Sequence, residues 1–262
     1  ISFFLNKFIA NSLGNWSSFK NLSYKDAEVK IESIDPRYKN LKKIQNVFLH
    51  CHYDSQKTEH YFEELSSNED IDFSRYSYFY SLYLFESGKI SESKKILESS
   101  IQLYPRNLLL NQLKINLDKR VAKNYNNFDC KNISHVVAEI LYIASNALSV
   151  QSFYKLSNFY INLSKYLNEN FKSYDTLLAE NYYKINNFLE SEKIYKKVEK
   201  LGQVYFWYSV KQNAKIMMKL DKQENAIKYV TNNYAKFSNK SIYDKFDYAE
   251  FLKNNEKFGQ AV

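Results

Sequence analysis

The chain has 262 residues, 45% of them hydrophobic, so it can bury a substantial core, yet it holds only 4 glycines and 2 prolines. That scarcity excludes a sheet protein needing many tight turns and leaves an all-helical chain. The formal net charge of +8 would suit nucleic acid, an anionic surface or an acidic partner. Its lysines, however, alternate with acids, as in Glu190-Ser191-Glu192-Lys193, which is how solvated helix faces read.

Taken in order, residues 1–19 place Phe4, Leu5, Phe8, Ile9 and Leu13 at helical spacing. A second helix is expected from near Ser23, with Ala27 and Ile31 one turn apart, ending before Pro36. The next pair begins near Tyr38 with Leu41, Ile44, Val47 and Phe48 on one face; Asp54-Ser55 turns, with Ser55 a candidate N-cap, and Thr58 and Phe62 lie on the second helix. Residues 66–70 read as a polar linker. From Ser74 comes a complete unit: Tyr80, Leu84 and Phe85, a turn at Ser87-Gly88-Lys89, Ser93 and Leu97, then Pro105 as a stop.

Residues 107–122 read as one helix and residues 123–132, polar and without a helical period, as a surface loop replacing a second helix. The order resumes at Ile133. Val137, Ile140, Leu141, Ala144 and Leu148 lie on one predicted helix, Tyr154, Ser157, Ile161 and Ser164 on the next. Two further pairs follow, with turns at Asn186-Asn187 and Leu220-Asp221, and a last unit carries Phe246, Tyr248, Ala249, Phe251 and Leu252. Small residues that open the second helices fall at 27, 58, 93, 157, 191, 226 and 261, so the intervals are 31, 35, 64, 34, 35 and 35. The expected layout is three helix pairs over 1–106, an irregular half-repeat and loop over 107–132, and a regular array over 133–262 whose last repeat is cut short. The truncation at Ala261 reads as a fragment boundary.

This pattern resembles the tetratricopeptide repeat family, in particular large bacterial members of proteobacterial type. Ala179, Asn186, Phe188, Ser191 and Tyr195 match the family's positions in one unit, Ser81, Gly88, Ile90, Ser93, Leu97 and Pro105 in another, and Ala249, Phe258 and Ala261 in the last. Serine often stands where the family has alanine. The resemblance implies a right-handed superhelical solenoid of antiparallel helix pairs, in which a small residue lets two helices approach and a large one fills the space above it. It also implies a concave groove for an extended peptide or partner helix, lined here by Glu139, Tyr142 and Asn146; Thr176, Glu180 and Tyr183; Tyr208, Lys211, Lys215 and Met218; and Tyr243, Phe246 and Glu250. Lys211 and Lys215, one turn apart, are placed to receive a carboxylate. The family's two-carboxylate clamp is not expected, since Thr176 and Glu180 stand where it needs lysine and asparagine.

No nucleophile elbow, phosphate-cradling glycine loop or paired-carboxylate helix occurs. His50 and His52 point to different helix faces, and with Cys51 and His60 match no zinc spacing. The expected function is a non-enzymatic scaffold for a protein or peptide partner, with no cofactor or metal. An RNA-binding helical repeat and the repeat region of a larger enzyme are the alternatives; against the first, the helix position that would read bases runs Tyr78, Tyr142, Thr176, Lys211 and Phe246, which is no code. Cys51 and Cys130 form no CxxC pair, which argues against a small disulfide framework and leaves a cytoplasmic or an envelope compartment open. No run of about 18 uncharged apolar residues is found, since Glu139 interrupts Val136 to Ala147.

Overall fold

The computed structural model describes residues 3–67, 71–119, 125–238 and 240–256. Among them it is all-α, with fourteen α-helices and no strand. In the N-terminal part these are α1 (Phe3–Phe19), α2 (Tyr24–Glu32), α3 (Lys39–His52), α4 (Thr58–Ser66), α5 (Ser74–Glu86), α6 (Ile90–Leu103) and α7 (Leu108–Asp118). The C-terminal part has α8 (Ile133–Val150), α9 (Tyr154–Leu167), α10 (Tyr174–Lys184), α11 (Phe188–Val198), α12 (Gln203–Lys219), α13 (Gln223–Lys236) and α14 (Ile242–Asn254). Side chains set several starts: Ser23 accepts from the Asp26 amide, Asn107 from Leu110 and Asn132 from Ser134, and Ser241 forms a capping box with Asp244. Ser55 is a turn residue rather than an N-cap. It accepts from the Lys57 amide one residue before α4 begins.

The hairpin turns repeat one another bond for bond. A residue with positive φ follows the first helix of six units, at Asp54, Gly88, Ser152, Asn186, Asp221 and Glu256. The intervals are therefore 34, 64, 34, 35 and 35. At the first five, the next amide reaches five residues back, as in Ser55 to His50, Lys89 to Leu84, Phe153 to Leu148, Asn187 to Tyr182 and Lys222 to Met217, all 2.9–3.0 Å. The left-handed residue itself bonds three back, as in Asp54 to Cys51 and Asn186 to Tyr183. These are the two bonds of a Schellman motif, which satisfies the last carbonyls of a helix while reversing the chain.

Behind each turn the helices cross at the small residues. Ala27, Thr58, Ser93, Ser157, Ser191 and Ala226 are all buried; Ala261, with Phe258, lies outside the described residues. The serines are more than alanine substitutes. Ser81 and Ser93 exchange hydroxyl-to-carbonyl bonds across the α5–α6 crossing (3.0 and 2.7 Å), and Ser145 and Ser157 do the same across α8–α9 (2.9 and 2.8 Å). Ser191 donates to the Ala179 carbonyl across α10–α11. A hydroxyl fits the close approach and turns it into hydrogen bonds, which explains why the repeat tolerates serine there.

Residues 125–132 overturn the expectation of a surface loop. Asn126, Phe128 and Cys130 are buried while Asn127, Asp129 and Lys131 are exposed, so the segment is extended, with side chains alternating in and out. Phe128 stacks on Phe79 with ring centres 4.1 Å apart, and Cys130 is joined to Cys51 by a disulfide with a Cα–Cα distance of 5.8 Å. That separation is ordinary for a disulfide. Residues 123–124 lie outside the described residues, and the helix expected over 107–122 ends at Asp118. The two runs meet directly: α1 packs on α8 and α7 on α12, so the second run lies along the first. By length and composition α8 is long and apolar enough to cross a membrane, but Val136, Ala138, Ile140, Leu141, Ala144 and Leu148 are inside the fold.

Candidate functional site

The first helices of the C-terminal run, α8, α10, α12 and α14, carry every residue expected to line a groove, but they do not form one open channel. At the α8 end the place is taken by the chain itself. Arg75 of α5 donates to both carboxylate oxygens of Glu139, at 2.6 and 2.7 Å, and its guanidinium lies 3.9 Å from the ring centre of Tyr142 and 4.6 Å from that of Phe171. Glu139 is fully buried. It holds two arrays together and is not open to a partner, which corrects its assignment to the groove; Tyr142 is covered by the same arginine. Burial keeps the Glu139 carboxyl above the usual carboxylate range despite the pull of Arg75. Thr176 turns its hydroxyl back onto the Ser173 carbonyl.

Further along, α12 and α14 border two adjoining open cavities, the larger with α7 and the smaller with Val230 of α13. The larger, about 430 Å3, is lined by Tyr208, Lys211 and Tyr243 with Arg106, Lys114 and Trp207; the smaller, about 280 Å3, by Lys211, Lys215 and Glu250 with Arg106, Trp207 and Phe251. Tyr183, Lys215 and Met218 line a third hollow of about 360 Å3 beside them. Asn146, Thr176 and Phe246 line none of these. The carboxylate that Lys211 receives comes from the chain: Asp247 of α14 is held by Lys211 on one side and by Arg106, at 2.6 Å, on the other. Tyr208 donates to Glu180; burial pushes its phenol well up, so it acts as a neutral donor.

Trp207 forms the wall common to both cavities. It is buried, stacked on Phe237 with centroids 5.4 Å apart, and lies 5.9 Å from the Lys211 ammonium. Among the described residues its indole Nε1–H has no acceptor. The other tryptophan, Trp16, donates to Gln45 at 3.1 Å. A buried donor without an acceptor costs free energy on the order of 1–3 kcal/mol.

No protein-family model and no curated protein matches the chain. The chemistry of the cleft therefore carries the functional reading by itself. Four cations, Arg106, Lys114, Lys211 and Lys215, line the two cavities against Asp118, Asp244, Asp247 and Glu250, and aromatic side chains wall them, a mixed lining that suits a polar peptide segment. Among the described residues, no group of three His, Cys, Asp or Glu side chains is placed to hold a metal ion.

Sequence reasoning had not singled out Arg106, Trp207 and Asp247. Arg106 and Asp247 are 141 positions apart, and no spacing rule connects a turn residue after Pro105 with the middle of α14. Trp207 did carry a signal, lying with Val210 and Ala214 on one helical face, but that face reads as core.

Proposed function

We propose that the chain is a tetratricopeptide-type solenoid, right-handed and non-enzymatic, that holds an extended segment of a partner protein in the α7–α12–α14 cleft. The repeating Schellman turns and the small-residue crossings support the family reading. The observation that carries the functional reading is the pair of adjoining open cavities that share Arg106, Trp207 and Lys211, with Lys215 at one side. Arg106 and Lys211 are matched by Asp247, and a strand of peptide with an acidic side chain would meet Lys215, which has no ion-pair partner among the described residues. Phe251, Tyr243 and Phe237 give it apolar walls, in keeping with peptide sites that orient a ligand with few polar groups.

The RNA-reading alternative fares worse. Tyr78, first of the positions that would have to face bases, is buried and donates to the Asn126 carbonyl at 2.6 Å. The test is selection of peptides from a random display library against the protein, followed by titration of the winners. Enriched peptides are expected to share an acidic residue and to lose at least about tenfold in affinity to the Lys211→Glu/Lys215→Glu variant. Equal binding by that variant would place the partner surface elsewhere.

A further inference from the structure

A second concavity, sharing no lining residue with the α7–α12–α14 cleft, has a different chemistry. It opens where the ends of α9 and α11 meet the turn before α10 and has a volume of about 460 Å3. Four lysines line it, Lys165, Lys172, Lys197 and Lys200, against two acids, Glu169 and Asp175. The excess is two positive charges. Lys165 is already paired with Asp175. Lys172, Lys197 and Lys200, all exposed, have no ion-pair partner among the described residues, although Lys196 and Lys193 nearby are matched by Glu192 and Glu190 on their own helix.

The scaffold beneath these cations is tied by backbone and side-chain hydrogen bonds. The Lys172 amide donates to the Tyr125 carbonyl (2.9 Å) and the Asn127 amide to Asn170 (3.0 Å), which makes Asn126 and Phe171 an isolated antiparallel bridge. The Asn168 side chain donates to the Asn127 carbonyl, and Asn126 accepts from the Ser173 amide at 2.7 Å. Phe171 and Leu201, both buried, supply the apolar floor. Lysines rooted on a fixed turn and two helix ends, around a hollow large enough for a small ligand, form a focused positive field rather than a scattered one.

We propose that this pocket binds phosphate-bearing ligands, with Lys172, Lys197 and Lys200 neutralising a phosphate monoester or polyphosphate. A phosphate group carries up to two negative charges and matches the local excess, while lysine serves as a point-charge donor to it. The same chemistry is offered by a soluble organic phosphate and by a lipid headgroup, so the experiment has two arms. In the first, sodium tripolyphosphate is titrated into the intact protein by calorimetry. Saturable binding is expected, weakened at least about tenfold in Lys172→Gln/Lys197→Gln/Lys200→Gln and left within about twofold by the exposed control set Lys25→Gln/Lys155→Gln/Lys228→Gln. Circular dichroism melts establish that both variants fold.

In the second arm the protein is sedimented with phosphatidylglycerol or phosphatidylcholine vesicles. Sedimentation with the anionic vesicles alone, displaced by tripolyphosphate, supports the pocket with a lipid headgroup as source; tripolyphosphate binding without vesicle binding supports it with a soluble one. Absence of saturable tripolyphosphate binding in the millimolar range, or equal losses in the two triple variants, overturns the proposal.

Discussion

Arg75 and Glu139, 64 positions apart, form a bidentate ion pair between the two helical runs, with the carboxylate buried and the guanidinium half-buried. Ion pairs of this kind resist removal of one partner more than removal of both, because a lone charge is left without water. Arg75→Met is expected to destabilise the fold by about 3–5 kcal/mol in urea denaturation, and Arg75→Met/Glu139→Leu by much less. The single variant should also depend more steeply on pH. Burial already raises the folded pKa of Glu139, and loss of Arg75 raises it further. Stability is then full below the unfolded carboxyl value of about 4.3 and falls as pH climbs through the folded one.

The serine clasp permits a cleaner cycle. Ser81→Ala or Ser93→Ala alone leaves a buried carbonyl and a hydroxyl short of a partner and should cost about 1–2 kcal/mol. The double variant resembles the Ala214–Ala226 crossing and should cost less than the sum of the two. Additive losses in chemical denaturation would show that the hydroxyls act independently.

The disulfide closes a long stretch of chain, 79 positions, so chain-entropy reasoning assigns it about 4–5 kcal/mol. Cys51→Ser/Cys130→Ser, or a reductant, should therefore lower the melting temperature. Protection from hydrogen exchange should be lost first at residues 125–132, which the bond ties to α3. Unchanged melting on full reduction would show that Phe128 and its neighbours hold the segment unaided.

Acid should weaken the fold through two histidines. His50 is buried, with its ring stacked on Tyr61 at 4.0 Å, and the half-buried His135 accepts the Asp129 amide at Nδ1. Burial lowers both pKa values. A depressed folded value means the stabilisation is present above the unfolded value of about 6.5 and is lost as pH falls through the folded one. Melting temperature should thus decline between pH 7 and 5, and His135→Asn should flatten the decline.

Much of the architecture is legible in the chain because it is local. Gly88, Asn186 and Asp221 stand where the helix must reverse, and the small residues a fixed distance on stand where the helices touch; both facts concern neighbours in sequence. What local pattern could not supply is how the two runs lie together. Arg75, Glu139, Arg106 and Asp247 read as ordinary charged residues on helices and turns, and their pairing is decided by folding across 64 and 141 positions. The alternation of Asn126, Phe128 and Cys130 was visible as a two-residue period, masked by the polar asparagine. Of the residues assigned to the groove, Lys211, Lys215, Tyr243 and Glu250 line the two cavities between α12 and α14. The assignment failed at Glu139, where position on the helix says nothing of the arginine that covers it.

The central claim, occupancy of the α7–α12–α14 cleft, is tested most directly at the indole nitrogens. The chain has two tryptophans, so a 1H–15N correlation spectrum shows two indole signals, one from the hydrogen-bonded Trp16 and one from the unpartnered Trp207. Titration with an acidic peptide selected against the protein should shift the Trp207 signal, leave Trp16 in place, and have no effect on Lys211→Glu/Lys215→Glu at the same concentrations. A peptide that binds the protein while the Trp207 signal stays where it was would contradict the account.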